Sequence, residues 1–142
     1  MFYPFQGRRR GRVMAMEALY RHHQMAEDPL RLLEEILQRE GARERESSLA
    51  RQIVEAYLEN RQRIHQLLED TLENWDLNRL MLLDRTILEV GVAELLGVPE
   101  TPPQVAINEA VELAKIYSSE KSPVFVNGVL DAIRKKLEAG PP

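Results

Sequence analysis

Residues 101–137, TPPQVAINEAVELAKIYSSEKSPVFVNGVLDAIRKKL, specify local structure more firmly than any other part of the chain. Thr101 can accept a hydrogen bond from the first turn of a helix, Pro102 suits the first helical position, and Gln104 follows at the capping-box spacing. The Ser-Pro pair at 122–123 repeats this start signal after a polar run without apolar periodicity. The stretch therefore predicts a hairpin of two helices, the first beginning at about Pro102.

Burial in a core explains the residue types on one face of the second helix of this hairpin, but not those on the opposite face. The expected core-facing residues are Val126, Leu130, Ile133 and Leu137, with Val129 at the border and Phe125 on the flank. Gly128 lies on the opposite face, where Gly costs about 1 kcal/mol relative to Ala. It would permit close approach by another group, or it is a tolerated defect or a second contact within the chain. Asn127 is expected to have a hydrogen-bond partner.

Apolar residues also recur at helical spacing through the preceding chain. The predicted helices cover residues 8–25, 29–40, about 48–72 with a bend or break at Asn60 and Arg61, and 79–96, with a turn at 75–78. Apolar residues surround most of the 79–96 helix, which is therefore predicted to be central and buried. No segment alternates with strand period, so the predicted fold class is all-α, with about seven helices.

Composition excludes several classes of protein. The chain has 142 residues, of which 44% are hydrophobic, enough for one domain with a core. It has no cysteine, which excludes disulfides and thiolate metal sites. No apolar run reaches the roughly 18 residues of a membrane span, and the N-terminus lacks the order of a signal peptide. We expect a soluble protein located in the cytoplasm.

The net charge of −4 conceals an uneven distribution. Residues 1–25 carry five arginines and a single acidic residue, Glu17, and residues 115–136 carry five basic and two acidic residues. An acidic chain can thus present a local basic surface that attracts phosphate within about 8 Å. The arginines at 8–12 lie where a helix dipole disfavours cations, which suggests an anionic partner; a solvated arm is the alternative.

Residue patterns typical of catalysis or metal binding are missing. His22 and His23 are adjacent and would point about 100° apart on a helix, so they cannot chelate one ion as an i, i+4 pair can. Glu109 and Glu112 share one side of a helix, where a solvated face is the common explanation. There is no Gly-rich phosphate loop and no nucleophile elbow. We therefore predict no enzyme activity, no metal and no cofactor.

Three segments resemble the NusB family of transcription antitermination factors. They are VAINEAVELAKIY at 105–117, FVNGVLDAIRKK at 125–136 and RRRGRVMAMEALY at 8–20. The resemblance implies one domain over 1–142, in which a three-helix part, 7–73, packs against a four-helix part, 76–138. NusB-type domains also occur fused to RNA methyltransferases, but we do not expect such a catalytic part here.

The resemblance also implies a function. A NusB protein binds the boxA element of ribosomal RNA leader transcripts together with NusE, a small-subunit ribosomal protein, in an RNA polymerase antitermination complex. The RNA-binding residues predicted on this basis are Arg8, Arg9, Arg10, Arg12, Lys115, Lys121 and Phe125. Guanidinium and ammonium groups would contact phosphates, and Phe125 would stack on an unpaired base unless it belongs to the core. The linker at 118–124 is more basic than in some family members.

For the protein partner, similarity points to Tyr20, Asp84 and Arg85, with a core position as the alternative for Tyr20. Asp84 and Arg85 are adjacent and cannot bridge on one helix face, so at least one is expected to be free for a partner. The alternative function is a non-catalytic protein-interaction or homodimerising helical module without RNA binding. The main interpretation requires that basic residues from both chain ends lie on one surface.

Overall fold

A computed structural model describes Met1, Tyr3, residues 5–72 and residues 77–140. Within these ranges the chain forms seven α-helices and no strand, which confirms the all-α prediction. The helices are α1 (Arg8–Met25), α2 (Pro29–Arg39), α3 (Glu44–Glu59), α4 (Arg61–Thr71), α5 (Leu82–Gly97), α6 (Pro103–Tyr117) and α7 (Ser122–Ala139). A 3₁₀ helix, Leu77–Arg79, precedes α5.

The long helix predicted over 48–72 is divided in two. α3 ends at Glu59, the backbone of the following Asn60 leaves the helical region at φ −117°, and α4 begins at Arg61. The Asn60 side chain donates a hydrogen bond of 2.9 Å to the Ala56 carbonyl, so it competes with the helical backbone pattern. The predicted break at Asn60 and Arg61 is therefore confirmed.

Two predicted helix starts are wrong by several residues. α3 begins at Glu44 rather than Ser48, because the Glu46 carboxylate accepts from the Arg43 N–H at 3.0 Å and satisfies a backbone donor in the first turn. α5 begins at Leu82 rather than residue 79, after the 3₁₀ helix. Of the turn predicted at 75–78, the first two residues lie outside the described ranges.

The helical hairpin at 101–137 is confirmed, but its capping is not the predicted one. α6 begins at Pro103, and Thr101 caps no backbone group of that helix. Its hydroxyl instead accepts a hydrogen bond of 3.3 Å from the guanidinium of Arg8, ninety-three residues earlier. The Gln104 side chain donates to Asn108 at 2.9 Å. Sequence spacing identified the helix start but not the long-range competitor for the hydroxyl.

Helix α5 lies at the centre, as predicted, and packs against α1, α3, α6 and α7. Two of its glycines permit this close packing. A Cβ at Gly91 would lie 2.6 Å from Leu130 Cδ1 of α7, and one at Gly97 would lie 2.2 Å from Ala56 Cβ of α3. Both distances are too short for a real contact: a Cβ at Gly91 would displace the end of the Leu130 side chain, and one at Gly97 would push against α3 itself, because Ala56 has no side chain that can turn away. Four α-helices, α1–α4, precede residue 73 and three, α5–α7, follow residue 76, rather than the expected three and four. The packing of two separate parts stays a prediction.

One face of α7 behaves as predicted and the other does not. Val126, Leu130 and Ile133 are fully buried. Gly128 is exposed, and apart from its own stretch of helix no atom of the described residues comes within 4 Å of where its Cβ would lie, which argues against a second contact within that part of the chain. The Asn127 side chain is exposed and makes no hydrogen bond to a described residue, so the partner expected for it stays a prediction.

Two described aromatic residues near the N-terminus, Tyr3 and Phe5, lie back on the domain. Tyr3 and Phe5 pack against the core, and the Tyr3 hydroxyl donates to the Glu17 carboxylate. Arg39 bonds the same carboxylate at 2.9 and 3.1 Å. Among the described residues, no helix combines the length and apolar character needed to cross a membrane.

Candidate nucleic-acid interface

Gly11 fixes the position of the arginine-rich start of α1. A Cβ at Gly11 would lie 2.6 Å from the Glu46 carbonyl oxygen, so the backbones of α1 and α3 meet there more closely than any side chain would allow. The N–H of Gly7 donates to the Glu46 carboxylate at 3.1 Å. The beginning of α1 is thereby held against the beginning of α3, and the neighbouring arginines point to different surroundings.

Arg12 lies inside the domain and does not face solvent. Its side chain is 3% exposed and donates two hydrogen bonds, of 2.7 and 2.6 Å, to the Glu94 carboxylate of α5. A third contact of 3.4 Å reaches Glu109 of α6. Because its donors are used inside the protein, this placement does not support the predicted phosphate contact by Arg12. Its role is to join α1 to α5.

Arg10 is also largely used within the fold. Its guanidinium bonds the Glu46 carboxylate at 2.9 Å and the Glu40 carbonyl at 2.7 Å. Burial opposes ionisation of Glu46, but the hydrogen bonds from the Arg43 N–H and from Arg10 outweigh it and lower the pKa of that carboxyl. Arg10 therefore serves first as a link between α1, α3 and the end of α2.

Arg9 and Arg8 are the members of the run that remain at the surface. Arg9 bonds Glu109 of α6 at 2.7 Å, its guanidinium lies 5.1 Å from the centre of the Phe5 ring, and its side chain is 36% exposed. Arg8 donates to the neutral hydroxyl of Thr101. These two side chains can reach an anionic ligand without breaking a buried ion pair.

A surface cavity of about 540 Å³ lies beside them. Its walls are Phe5, Gln6, Gly7, Arg8, Arg9, Arg45 and Glu109. Arg45, at the start of α3, was not singled out by the sequence, where it lies in an unremarkable polar connection. Arg45 lies next to Arg8 and Arg9 because α3 packs closely against α1, and local sequence patterns do not predict that packing.

The predicted hairpin residues form a second group. Lys121 is exposed, Phe125 is half-buried, and both line a surface cavity of about 350 Å³ with apolar walls from Leu80 and Met81. Phe125 also packs against the core, so the two readings of this residue are compatible. Lys115 is exposed on α6 and bonds Glu112 at 3.1 Å.

These two groups do not merge into one cluster. Arg8 lies beside Thr101, just before α6, and Lys121 follows the end of α6, a helix of 15 residues. At 1.5 Å per residue, about 22 Å separate the two ends of that helix. Arg9 reaches α6 midway, at Glu109, and Lys115 lies further along the helix. Cations from both chain ends thus lie along α6 with carboxylates between them.

The predicted protein-partner residues all belong to the α1–α5 region. Asp84 is nearly buried and accepts from the Ser118 hydroxyl, and Arg85 donates to Glu89 at 3.4 Å. The expectation that one of the two is free is therefore wrong, because each has a partner within the chain. Tyr20 is half-buried on α1.

The two adjacent histidines have structural partners. His23 Nε2 lies 2.6 Å from the Glu89 carboxylate, and His22 Nδ1 lies 2.6 Å from the Glu27 carbonyl oxygen. A search of the described residues finds no group of three or more acidic, His or Cys side chains placed to hold a metal ion.

Comparisons with known proteins agree with the all-α fold. The model of the NusB family matches residues 9–135. The transcription antitermination protein NusB of Finegoldia magna is 38% identical over 131 residues, covering 92% of this chain and 96% of that protein. The structure of T. maritima NusB superimposes with a TM-score of 0.85 at 40% identity, covering 92% of each chain. A structure of antitermination factors NusB and NusE in complex with double-stranded RNA gives 0.82 at 31% identity, covering 91% of this chain and 96% of that one.

Proposed function

The chain belongs to the NusB family, and on that premise we propose that it is a transcription antitermination factor that binds boxA-type single-stranded RNA. It would act on ribosomal RNA leader transcripts together with NusE, within an RNA polymerase antitermination complex in the cytoplasm. In this role the protein is a non-catalytic adaptor. Its two parts, residues 7–73 and 76–138, would present the RNA surface jointly.

The observation that carries the proposal is the local basic surface on an acidic chain. Arg8 and Arg9 are accessible at the start of α1, and both line the 540 Å³ cavity. Guanidinium groups match phosphate oxygens with paired donors, and their charge recruits a polyanion despite the net charge of −4. The family model matches residues 9–135, so Arg9 lies within the matched segment and Arg8 immediately precedes it.

The cavity beside the α6–α7 linker supports a contact with an unpaired base. Leu80, Met81 and Phe125 provide apolar surface, Lys121 provides a cation at the rim, and Ser119 provides a hydroxyl. An unpaired base needs apolar surface for its faces and polar groups for its edge. Single-stranded RNA lying along α6 could reach both this cavity and the arginine surface, about 22 Å away.

The α1–α5 region is the proposed site for NusE. The residues proposed to contact it are Tyr20, Asp84 and Arg85. Asp84 and Arg85 already have partners within the chain. A structure described as NusB and NusE with double-stranded RNA is among the similar proteins. A partner that binds here would compete with or extend the Arg85–Glu89 bond.

The test is a binding titration with a labelled oligonucleotide that carries a boxA element. A scrambled oligonucleotide of the same length and composition and a double-stranded version are the controls, each with and without NusE. We expect the tightest binding for single-stranded boxA, and tighter binding when NusE is present. Equal affinity for all three RNAs would overturn boxA recognition, and absence of RNA binding even with NusE would favour the interaction-only alternative.

A further inference from the structure

Arg45 of α3 shares two surface cavities with Arg8 of α1. One is the 540 Å³ cavity that Arg9 and Phe5 also line. The other, of about 230 Å³, has Glu100 and Thr101 among its walls. Two arginines from different helices therefore line the same concave surface, although their positions in the sequence are thirty-seven residues apart.

These two arginines differ from their neighbours in how their charge is compensated. Arg9, Arg10 and Arg12 each have a carboxylate within 2.9 Å. Arg45 makes no hydrogen bond or ion pair with any residue that the structure describes, and its side chain is exposed.

Arg8 donates only to the neutral Thr101 hydroxyl within the described part of the chain. The carboxylate of Glu100 lines the smaller cavity with them, but it accepts a hydrogen bond from Gln52 at 2.9 Å and is itself exposed. The hydrogen bond from Gln52 and, to a smaller extent, the charge of Arg8 lower the pKa of the Glu100 carboxyl, so Arg8 is partly compensated across solvent. Arg45 is thus the least neutralised positive charge beside the cavity, followed by Arg8.

Like charges that face one cavity repel each other, and an anion placed between them removes the repulsion. An exposed pair tolerates this cost because solvent screens it. A phosphate oxyanion fits the geometry, since each guanidinium presents a fork of N–H donors.

Arg9 adds a second feature to the same cavity. Its guanidinium is fixed on one side by the Phe5 ring and at Nε by Glu109. A guanidinium plane held in this way offers a stacking surface for an unpaired base. Charge and stacking surface together match one nucleotide, in which phosphate and base are joined.

We propose that Arg8 and Arg45 bind one backbone phosphate of single-stranded RNA in this cavity and that Arg9 stacks on the adjoining base. The inference rests on the proposed RNA-binding function and adds to it a subsite that includes α3. It identifies Arg45 as a binding residue.

The experiment compares Arg45→Gln with Arg63→Gln in anisotropy titrations with the single-stranded boxA oligonucleotide. Arg63 is an exposed arginine of α4 that bonds to no described residue. It follows the far end of α3, whose 16 residues span about 24 Å. Both variants lose one positive charge, so a general electrostatic effect would weaken both equally. We expect Arg45→Gln to raise Kd about tenfold, the order of one charge-assisted hydrogen bond, and Arg63→Gln to change it less than about twofold.

A double-mutant cycle tests whether the two arginines share a ligand. If both contact one phosphate, the loss in Arg8→Gln/Arg45→Gln is smaller than the product of the single losses. Melting curves should match wild type for Arg45→Gln, because that exposed side chain has no hydrogen bond or ion pair to a described residue to lose. Equal affinity of Arg45→Gln and Arg63→Gln, with binding still weakened by Arg8→Gln, would overturn the subsite and leave the proposed function standing. No RNA binding by wild type would overturn both.

Discussion

Arg12 and Glu94 form a buried ion pair that joins the first helix to the central one. Both side chains are nearly inaccessible, at 3% and 1% exposed, and their two hydrogen bonds are parallel. The sequence contains four arginines at 8–12, but it does not show which of them are buried in the fold and which remain at the surface. That separation depends on carboxylates more than eighty residues away in the case of Arg12, and no local pattern encodes it.

Replacement of Arg12 by Met tests this structural role. The substitution leaves the Glu94 carboxylate buried without its charged partner, so the free energy of unfolding should fall by about 3–5 kcal/mol. Urea denaturation followed by circular dichroism measures the change. Arg31→Met is the control, because Arg31 forms only exposed pairs with Glu27 and Glu35, and its loss should cost less than about 1 kcal/mol. Equal losses in both variants would contradict the assignment.

Glu46 gives the fold a dependence on pH. Burial opposes its ionisation, but hydrogen bonds from the Arg43 N–H, Arg10 and the Gly7 N–H lower its pKa below the ordinary value of 4.5. A lowered folded-state pKa stabilises the protein above the unfolded-state pKa, and this contribution is lost as the pH falls through the folded-state value.

The prediction concerns the difference in unfolding free energy between wild type and Glu46→Gln. It should be largest near neutral pH and shrink as the pH falls below about 4.5, where the carboxyl of wild type also becomes neutral. Denaturation curves at a series of pH values provide the measurement, with Glu55→Gln at an exposed position of α3 as the control. A difference that stays constant across this range would contradict the coupling.

At the scale of elements, helix contacts depend on glycines that face other helices. Gly11 permits contact between α1 and α3, and Gly91 and Gly97 permit contacts of α5 with α7 and α3. Gly128 is different, because it lies on an exposed face of α7 with no described atom near its missing Cβ. The sequence marked Gly128 as unusual and not Gly11, since a wheel shows which face a residue occupies but not how closely another backbone approaches.

Alanine substitutions at these two positions should have opposite effects. Gly11→Ala introduces a Cβ 2.6 Å from the Glu46 carbonyl oxygen and should destabilise the protein by about 1–3 kcal/mol. Gly128→Ala adds a methyl group in open space within a helix and should stabilise it by about 0.5–1 kcal/mol. Thermal denaturation of both variants and wild type measures these changes in stability. If Gly128→Ala is stabilised but binds NusE or RNA less tightly, its face contacts a partner; destabilisation by Gly128→Ala would contradict the described surroundings.

Helix periodicity explains how much of the element structure was predictable. The apolar stripe of α7, the buried character of α5 and the break at Asn60 follow from local residue order, because each depends on side chains within a few turns. The cap at Thr101 was mispredicted because a distant guanidinium bonds its hydroxyl. Local residue order thus determines the helices and most of their ends, and at Thr101 a long-range polar contact replaces the expected cap.

At the scale of the whole molecule, basic residues from both ends of the chain are arranged along α6. The charge segregation in the sequence predicted a basic surface, but not that Arg10 and Arg12 would be used internally or that Arg45 would line the same cavity as Arg8. The spacing of about 22 Å between the arginine surface and the Lys121 cavity follows from the length of α6. An RNA strand that contacts both must therefore be extended along this helix.

The salt dependence of single-stranded boxA RNA binding tests this account most directly. The logarithm of the association constant should fall linearly with the logarithm of salt concentration, and the slope should become shallower by about 0.7 for each phosphate contact removed. We predict this loss of slope for Arg8→Gln, Lys121→Gln and their double variant, with the largest change in the double variant. A slope that is the same in wild type and the double variant would contradict the claim that RNA lies along α6 between these two surfaces.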